Sequence, residues 1–165
     1  MKTNLIIIRG NSGSGKTTTA KSVQKTLGRG TLLISQDAVR REMLMVRDTE
    51  GNLAIDLIQQ IAAFGRNQCE HVIVEGILYE NYYGEMLKKL SHSFDHTFAY
   101  YFDLPFEETV RRHQLRDKKE EFGEESLRAW WRPADYLCLK GEKCLTSNMS
   151  NDEILDIILH DLDKK

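Results

Sequence analysis

Residues 10–17 read GNSGSGKT, and the apolar run Leu5-Ile6-Ile7-Ile8 stands just before them. The run reads as a buried strand, and the TTAKSVQKTL that follows reads as a helix. A G-x-x-x-x-G-K-[ST] pattern takes its meaning from that strand–loop–helix context. Gly10, Gly13 and Gly15 let the backbone turn so that its N–H groups point inward onto phosphate oxygens, at the positive end of the helix. Gly10, Asn11, Ser12, Gly13, Ser14, Gly15, Lys16, Thr17 and Thr18 are therefore the expected nucleotide-binding residues. Lys16 is expected to reach the β- and γ-phosphates, and the Thr17 hydroxyl to ligate a divalent cation. The implied cofactors are ATP and Mg²⁺.

The 165 residues suit a single domain over 1–165 with one hydrophobic core. The opening MKTNLIII has a lysine and an apolar patch but is too short for a signal peptide, and it runs straight into the loop. No apolar stretch approaches the length that spans a bilayer, so no membrane partner is expected. Cys69, Cys138 and Cys144 are odd in number and lack CxxC or Cys/His spacing. They indicate neither a disulfide framework nor a zinc site and read as reduced thiols of a cytoplasmic protein. A net charge of −2 does not mark a general nucleic-acid binder. Recognition of one strand end needs only a few phosphate contacts, so that possibility stays open. No feature of the sequence speaks to oligomeric state.

Helix and strand patterns alternate, which predicts an α/β fold with a parallel sheet. Strands are expected at about 4–9, 31–35, 71–74, 97–102 and 142–145. Helices are expected at 16–27, near 38–46, and around a stripe of Leu53, Leu57, Ile61 and Phe64. Tyr79, Tyr83, Met86, Leu87 and Leu90 form a further helical stripe. Pro105 suits the first turn of the next helix. A charged stretch leads to a short helix through Trp131, and Ser150 with Glu153 has capping-box spacing for the last helix. The layout resembles the small P-loop kinases related to nucleoside monophosphate kinases. That resemblance implies a three-layer fold with sheet order 2-3-1-4-5, helices on both faces, and a lid between strands 4 and 5, about 112–132.

Ligands of open α/β sheets bind beyond the C-terminal ends of the strands, so Asp37, closing strand 2, faces the same crevice as the phosphate loop. A carboxylate there can take or orient a hydroxyl proton for attack on the γ-phosphate. It could also cap the helix from Ala38. Arg40, one turn on, could hold an anionic part of an acceptor. Loop and strand-2 D-x-x-R together resemble the kinase group of zeta toxins, polynucleotide 5′-hydroxyl kinases and chloramphenicol phosphotransferase. In that resemblance Asp37 corresponds to the aspartate at the acceptor hydroxyl, and Arg40 to an arginine assisting acceptor or phosphate binding. Residues 121–135, EFGEESLRAWWRPAD, are also similar to uncharacterised bacterial P-loop kinases.

Glu75 closes strand 3, where a carboxylate either holds Mg²⁺ through water or meets the acceptor. Arg112, Arg116 and Lys119 form a cationic stripe after Pro105. Such arginines close over phosphates in related kinases; alternatively the stripe is a solvated face paired with Glu108 and Glu120. Arg128 and Arg132 are further lid candidates. Tyr79 and Tyr83 read as core, Tyr82 as a possible acceptor contact, His113 as packing, and Trp130 and Trp131 as anchors of the lid helix. Thr146-Ser147-Asn148 lies where such folds often read adenine. The expected catalytic set is Lys16, Asp37, Arg112 and Arg116; Thr17 and Glu75 serve the metal, and Asp37, Arg40 and Tyr82 the substrate.

A GTPase would show NKxD and D-x-x-G, which are absent, and motor and AAA+ ATPases need more chain. Shikimate kinase would show a glycine-rich acceptor loop where EGILYE stands. The expected activity is transfer of the ATP γ-phosphate to a hydroxyl of a small-molecule acceptor. The alternatives are a polynucleotide 5′-hydroxyl kinase and an ATP-binding regulatory module.

Overall fold

The computed structural model describes residues 2–116 and 121–164. In chain order the elements are β1 (Asn4–Gly10), α1 (Lys16–Leu27), β2 (Thr31–Ser35), a π-helical turn (Ala38–Met43), α2 (Leu53–Gly65), β3 (His71–Gly76), α3 (Glu80–Ser93), β4 (His96–Phe102), α4 (Phe106–Gln114), α5 (Glu124–Trp130), β5 (Lys143–Leu145) and α6 (Asn151–Asp163). The sheet runs β2-β3-β1-β4-β5, and every neighbouring pair is parallel. This is the order and the fold class that the resemblance implied.

The central position of β1 explains its composition. Leu5, Ile6, Ile7 and Ile8 are all 0% exposed, because a strand with neighbours on both edges and helices on both faces has no polar side. Side chains alternate across the sheet. Leu5 and Ile7 join Val72, Val74, Ile58, Tyr83 and Leu87 under α2 and α3. Ile6 and Ile8 join Ile73, Phe102, Ala20, Val23, Ile154 and Ile158 under α1 and α6. The Ser150–Glu153 capping box forms in both directions, at 3.2 and 2.7 Å. Among the described residues no helix is long and apolar enough to cross a membrane.

Four expectations are corrected. The helix near 38–46 is a π-helical turn ending at Met43, closed by Leu44 N–H donating to Val39 O at 3.1 Å. Gln36 and Asp37 are already helical, Asp37 at φ −65 and ψ −41, so Asp37 lies within the turn and makes no side-chain capping bond. The core face of α2 is also rotated from the expected stripe. Ala54, Ile58, Ala62 and Gly65 are buried, whereas Leu53 is 63% and Phe64 72% exposed. Small residues win because α2 lies close on the sheet: a Cβ on Gly65 would stand 2.7 Å from both Leu32 and Val72. α5 ends at Trp130, one residue early, and Pro105 stands at the cap position just before α4. Lys119 and Glu120 lie outside the described residues.

The rotated face makes a discriminating prediction in urea unfolding. Ile58→Ala should cost about 2–5 kcal/mol, and Phe64→Ala no more than about 0.5 kcal/mol. Equal costs would restore the larger-residue stripe as the packed face.

Candidate active site

The phosphate loop leaves β1 and folds tightly over its own lysine. Gly13, at φ +80, lies under α4, where an added Cβ would be 2.7 Å from Thr109 O. Lys16 Nζ donates to Asn11 O at 2.8 Å and approaches Ser14 Oγ at 3.4 Å. Burial lowers the Lys16 ammonium from 10.5 to about 8, against the opposing charges of Glu75 and Asp37, with Arg116 lowering it further. An ammonium held that low carries roughly 3 kcal/mol of uncompensated desolvation. A polyphosphate would supply the missing charge.

Thr17 and Glu75 meet across the loop. The Thr17 hydroxyl lies 3.3 and 3.2 Å from the two oxygens of Glu75, whose residue is 2% exposed. A hydroxyl and a carboxylate converging beside a phosphate site fit Mg²⁺, which keeps several waters and takes other ligands from phosphates. Among the described residues no three His, Cys, Asp or Glu side chains gather as a metal site. The donor set therefore suits a cation that arrives with a nucleotide.

Arg112 reaches the loop from α4. Its Nη1 donates to Ser14 O at 2.8 Å and its Nε to Glu108 at 2.7 Å. Arg111 and Arg112 together lower the Glu108 carboxyl to about 2. Part of the solvated-face reading is thus realised, since Glu108 binds both arginines. Arg112 and Arg116 still border a cavity of about 620 Å³ with Gly15, Thr18, Ser147 and Asn148. The fold thus brings the phosphate loop, the stripe arginines and the segment after β5 around one space large enough for a nucleoside. Arg128 instead packs over Phe106 at 4.2 Å and pairs with Glu124 at 3.2 Å.

On the other side of the loop, Asp37 has an exposed side chain (69%) and lies 3.4 Å from Arg40, whose Nη1 also donates to Val46 O. The capping alternative for Asp37 is not realised. Gly76 passes so close to Gln36 that a Cβ would be 2.5 Å away. Tyr82 meets Tyr79 edge-on at 5.9 Å and is half-buried. Tyr79 and Tyr83 are buried, as read. His113 packs, stacked on Phe122 at 4.6 Å, and Trp130 and Trp131 meet Phe122 and Phe106 edge-on.

Several residues went unnoticed in the sequence. Arg9 is 0% exposed; it donates to Leu78 O at 3.0 and 2.9 Å, to Asp135 O at 2.7 Å and to the Asp135 carboxylate at 2.8 Å. Burial lowers its pKa while Asp135 and Glu142 oppose that. A charge ending an apolar strand was the only available signal. Gln36 accepts from Leu78 N–H and donates to Asp48, which also accepts from the Tyr83 hydroxyl. The Asn11 side chain is taken by Arg132, donating to the carbonyl at 2.7 Å and accepting from the N–H at 2.8 Å. That leaves only its backbone for phosphate.

A family described as an AAA domain matches residues 6–130. No curated protein matches the chain. Among solved structures, the APS kinase of Mycobacterium tuberculosis, in complex with AMPPNP and APS, is 18% identical, with 99% of each chain covered and a TM-score of 0.70. A gluconokinase from Sinorhizobium meliloti 1021 is 16% identical over 98% of this chain and 92% of its own, with a TM-score of 0.71. The shikimate kinase of Acinetobacter baumannii is 19% identical over 100% and 96%, at 0.63. Likeness at these identities establishes the fold. The family match corrects the expectation that 165 residues are too few for any AAA-type domain, since the matched core occupies residues 6–130.

The Lys16 environment gives a pH signature. Phosphates favour the ammonium, which an empty loop loses above about 8 while the unfolded chain keeps it to 10.5. Native stability should therefore gain from this group between those values, and nucleotide affinity should fall. Calorimetry should find a level ATP–Mg²⁺ Kd below pH 7.5, then weakening by up to about tenfold per pH unit with proton uptake on binding. A flat profile to pH 9.5 would remove Lys16 from the phosphate site.

Proposed function

This chain belongs to the AAA domain family, and on that footing we propose that it is an ATP- and Mg²⁺-dependent phosphotransferase acting on a hydroxyl of a small-molecule acceptor. The reading rests on one observation. A solvent-facing carboxylate, Asp37, opens on the side of the phosphate loop away from the nucleotide-sized cavity, and its charge is felt at buried Lys16. A module that only senses nucleotide needs no such group. Within the small P-loop kinases, the D-x-x-R of Asp37 and Arg40 supports the group of zeta toxins, polynucleotide kinases and chloramphenicol phosphotransferase. The three free thiols suit the cytoplasm.

In this reading Lys16 and the loop N–H groups hold the β- and γ-phosphates, and Thr17 and Glu75 hold Mg²⁺. When bound, Mg²⁺ supplies neutralisation of charge on the β- and γ-phosphate oxygens. The acceptor oxygen bonds to the γ-phosphorus as the bond from that phosphorus to the β–γ bridging oxygen breaks. The hydroxyl proton passes to Asp37, and ADP leaves with the bridging oxygen. Arg112 exchanges its contact with Ser14 O for the transferring group, and Arg116 adds a second charge. Because the transition state is loose, charge and positioning contribute more than proton transfer.

Transfer of labelled γ-phosphate from ATP–Mg²⁺ to a panel of sugars, nucleosides, aminoglycosides and 5′-hydroxyl oligonucleotides tests this. One small acceptor should be labelled, and Asp37→Ala should lower its rate by about a hundredfold or more. Labelling of the oligonucleotide alone, with steep salt dependence, would make the protein a polynucleotide kinase. Slow hydrolysis without any labelled acceptor, indifferent to Asp37→Ala, would make it a regulatory module.

A further inference from the structure

We propose that Arg132 is an acceptor-specificity residue, and that the acceptor carries an oxyanion substituent (carboxylate, sulfate or phosphate) which this guanidinium binds. The proposal deepens the phosphotransferase reading and rests on it for the word acceptor. Its starting point is a difference among the arginines after β4. Arg111 and Arg112 are paired with Glu108 and Arg128 with Glu124, while Arg116 borders the nucleotide-sized cavity. Arg132 has no carboxylate partner among the described residues. Its guanidinium lies 3.9 Å over the ring of Tyr79 and 5.4 Å from that of Tyr82, with Nη1 on the Asn81 side-chain oxygen. A guanidinium lying on an aromatic face presents its edge N–H groups outward, and those not spent on Asn81 lie in the planar fork that matches an oxyanion.

The cation is also fixed in place. The Arg132 main chain is clasped on both its N–H and its carbonyl by the Asn11 side chain, within the phosphate loop itself. Three residues on, Asp135 binds buried Arg9 and accepts from Glu80 N–H at 3.0 Å, tying the same segment to β1 and to the start of α3. Such preorganisation removes much of the ordering cost of binding. The location points to the acceptor. Tyr79, Asn81 and Tyr82 follow β3, which lies between β2, bearing Asp37, and β1, bearing the loop. The nucleotide-sized cavity is lined by α4 and the segment after β5, at the opposite end of the sheet. On this side Arg40 also has a buried Nε without a partner among the described residues. Asp48, the nearby carboxylate, is committed to Tyr83 and Gln36. The acceptor side thus offers guanidinium N–H groups that Arg132 and Arg40 leave over and, in Asp37, an exposed carboxylate. That pattern matches a hydroxyl compound bearing its own negative charge.

Two measurements test the proposal, the first without turnover. Protein saturated with Mg²⁺ and AMPPNP is titrated with sulfate, inorganic phosphate and lactate, and Trp130 and Trp131 fluorescence is followed, with chloride at matched ionic strength as control. At least one oxyanion should give a saturable change. Arg132→Gln should weaken it about tenfold or more, Arg132→Lys should restore part of it, and Arg128→Gln should leave it unchanged. The preferred probe separates the three chemistries. A response equal to that of chloride, or no saturation, overturns the proposal. So does loss of AMPPNP affinity in Arg132→Gln, which would assign the residue to the nucleotide.

In the second measurement, matched acceptor pairs are compared for phosphate transfer: sugar acid with sugar, sugar phosphate with sugar, nucleotide with nucleoside. The charged member should be the substrate, and Arg132→Gln should raise its KM about tenfold while kcat stays within about threefold. A neutral acceptor turned over equally by wild type and Arg132→Gln overturns the proposal. Oxyanion binding that depends on Arg132, with no acceptor labelled, would remove the phosphotransferase reading and leave the oxyanion site standing.

Discussion

One buried cation organises the working end of the sheet. Arg9 ends the apolar part of β1, is 0% exposed, and spends its guanidinium on Leu78 O and on both the carbonyl and the carboxylate of Asp135. Removing either partner from such a pair leaves an uncompensated charge and typically costs about 3–5 kcal/mol, more than the pair itself contributes. The consequence is architectural. The β3–α3 connection and the chain returning from α5 are both held against the strand that feeds the phosphate loop. Asp135 extends the tie by accepting from the first free N–H of α3, which has no side-chain cap of its own.

Around that anchor the crevice divides by sheet position. Toward β4 and β5, α4 and the segment after β5 enclose the nucleotide-sized space with Arg112 and Arg116 at its wall. Toward β3 and β2 stand Asp37, Arg40, Tyr82 and the Arg132–Tyr79 stack. Lys16 sits between the two, its ammonium disfavoured by burial. In the proposed reading this desolvation would be a store of binding energy, because the same loss of water that lowers the pKa strengthens the attraction for a polyphosphate.

Legibility followed the range of the interactions. The phosphate loop, the strand order and the capping box were readable because each depends on a local pattern or on the resemblance that the pattern supports. The α2 face was misread because periodicity ranks residues by size. The sheet instead accepted Ala54, Ala62 and Gly65, where close approach matters more than bulk. The turn after β2 was read as an ordinary helix, whereas its backbone closes five residues back, as Leu44 N–H does on Val39 O, a choice that the local pattern does not record. The bond between the Asn11 side chain and Arg132, 121 residues away, had no signal in the sequence.

What the sequence determined by itself is the chemistry of short range: a strand, a glycine-rich loop, a lysine, a hydroxyl, and the alternation that builds a parallel sheet. These follow from the conformational needs of glycine and from period-two and period-3.6 burial, both set within a few residues. The tertiary structure alone decided which charges meet. Arg9 with Asp135, Asn11 with Arg132, and Glu108 with two arginines are chosen by desolvation and by the geometry of the packed sheet. Those terms exist only once distant segments have excluded water from one another.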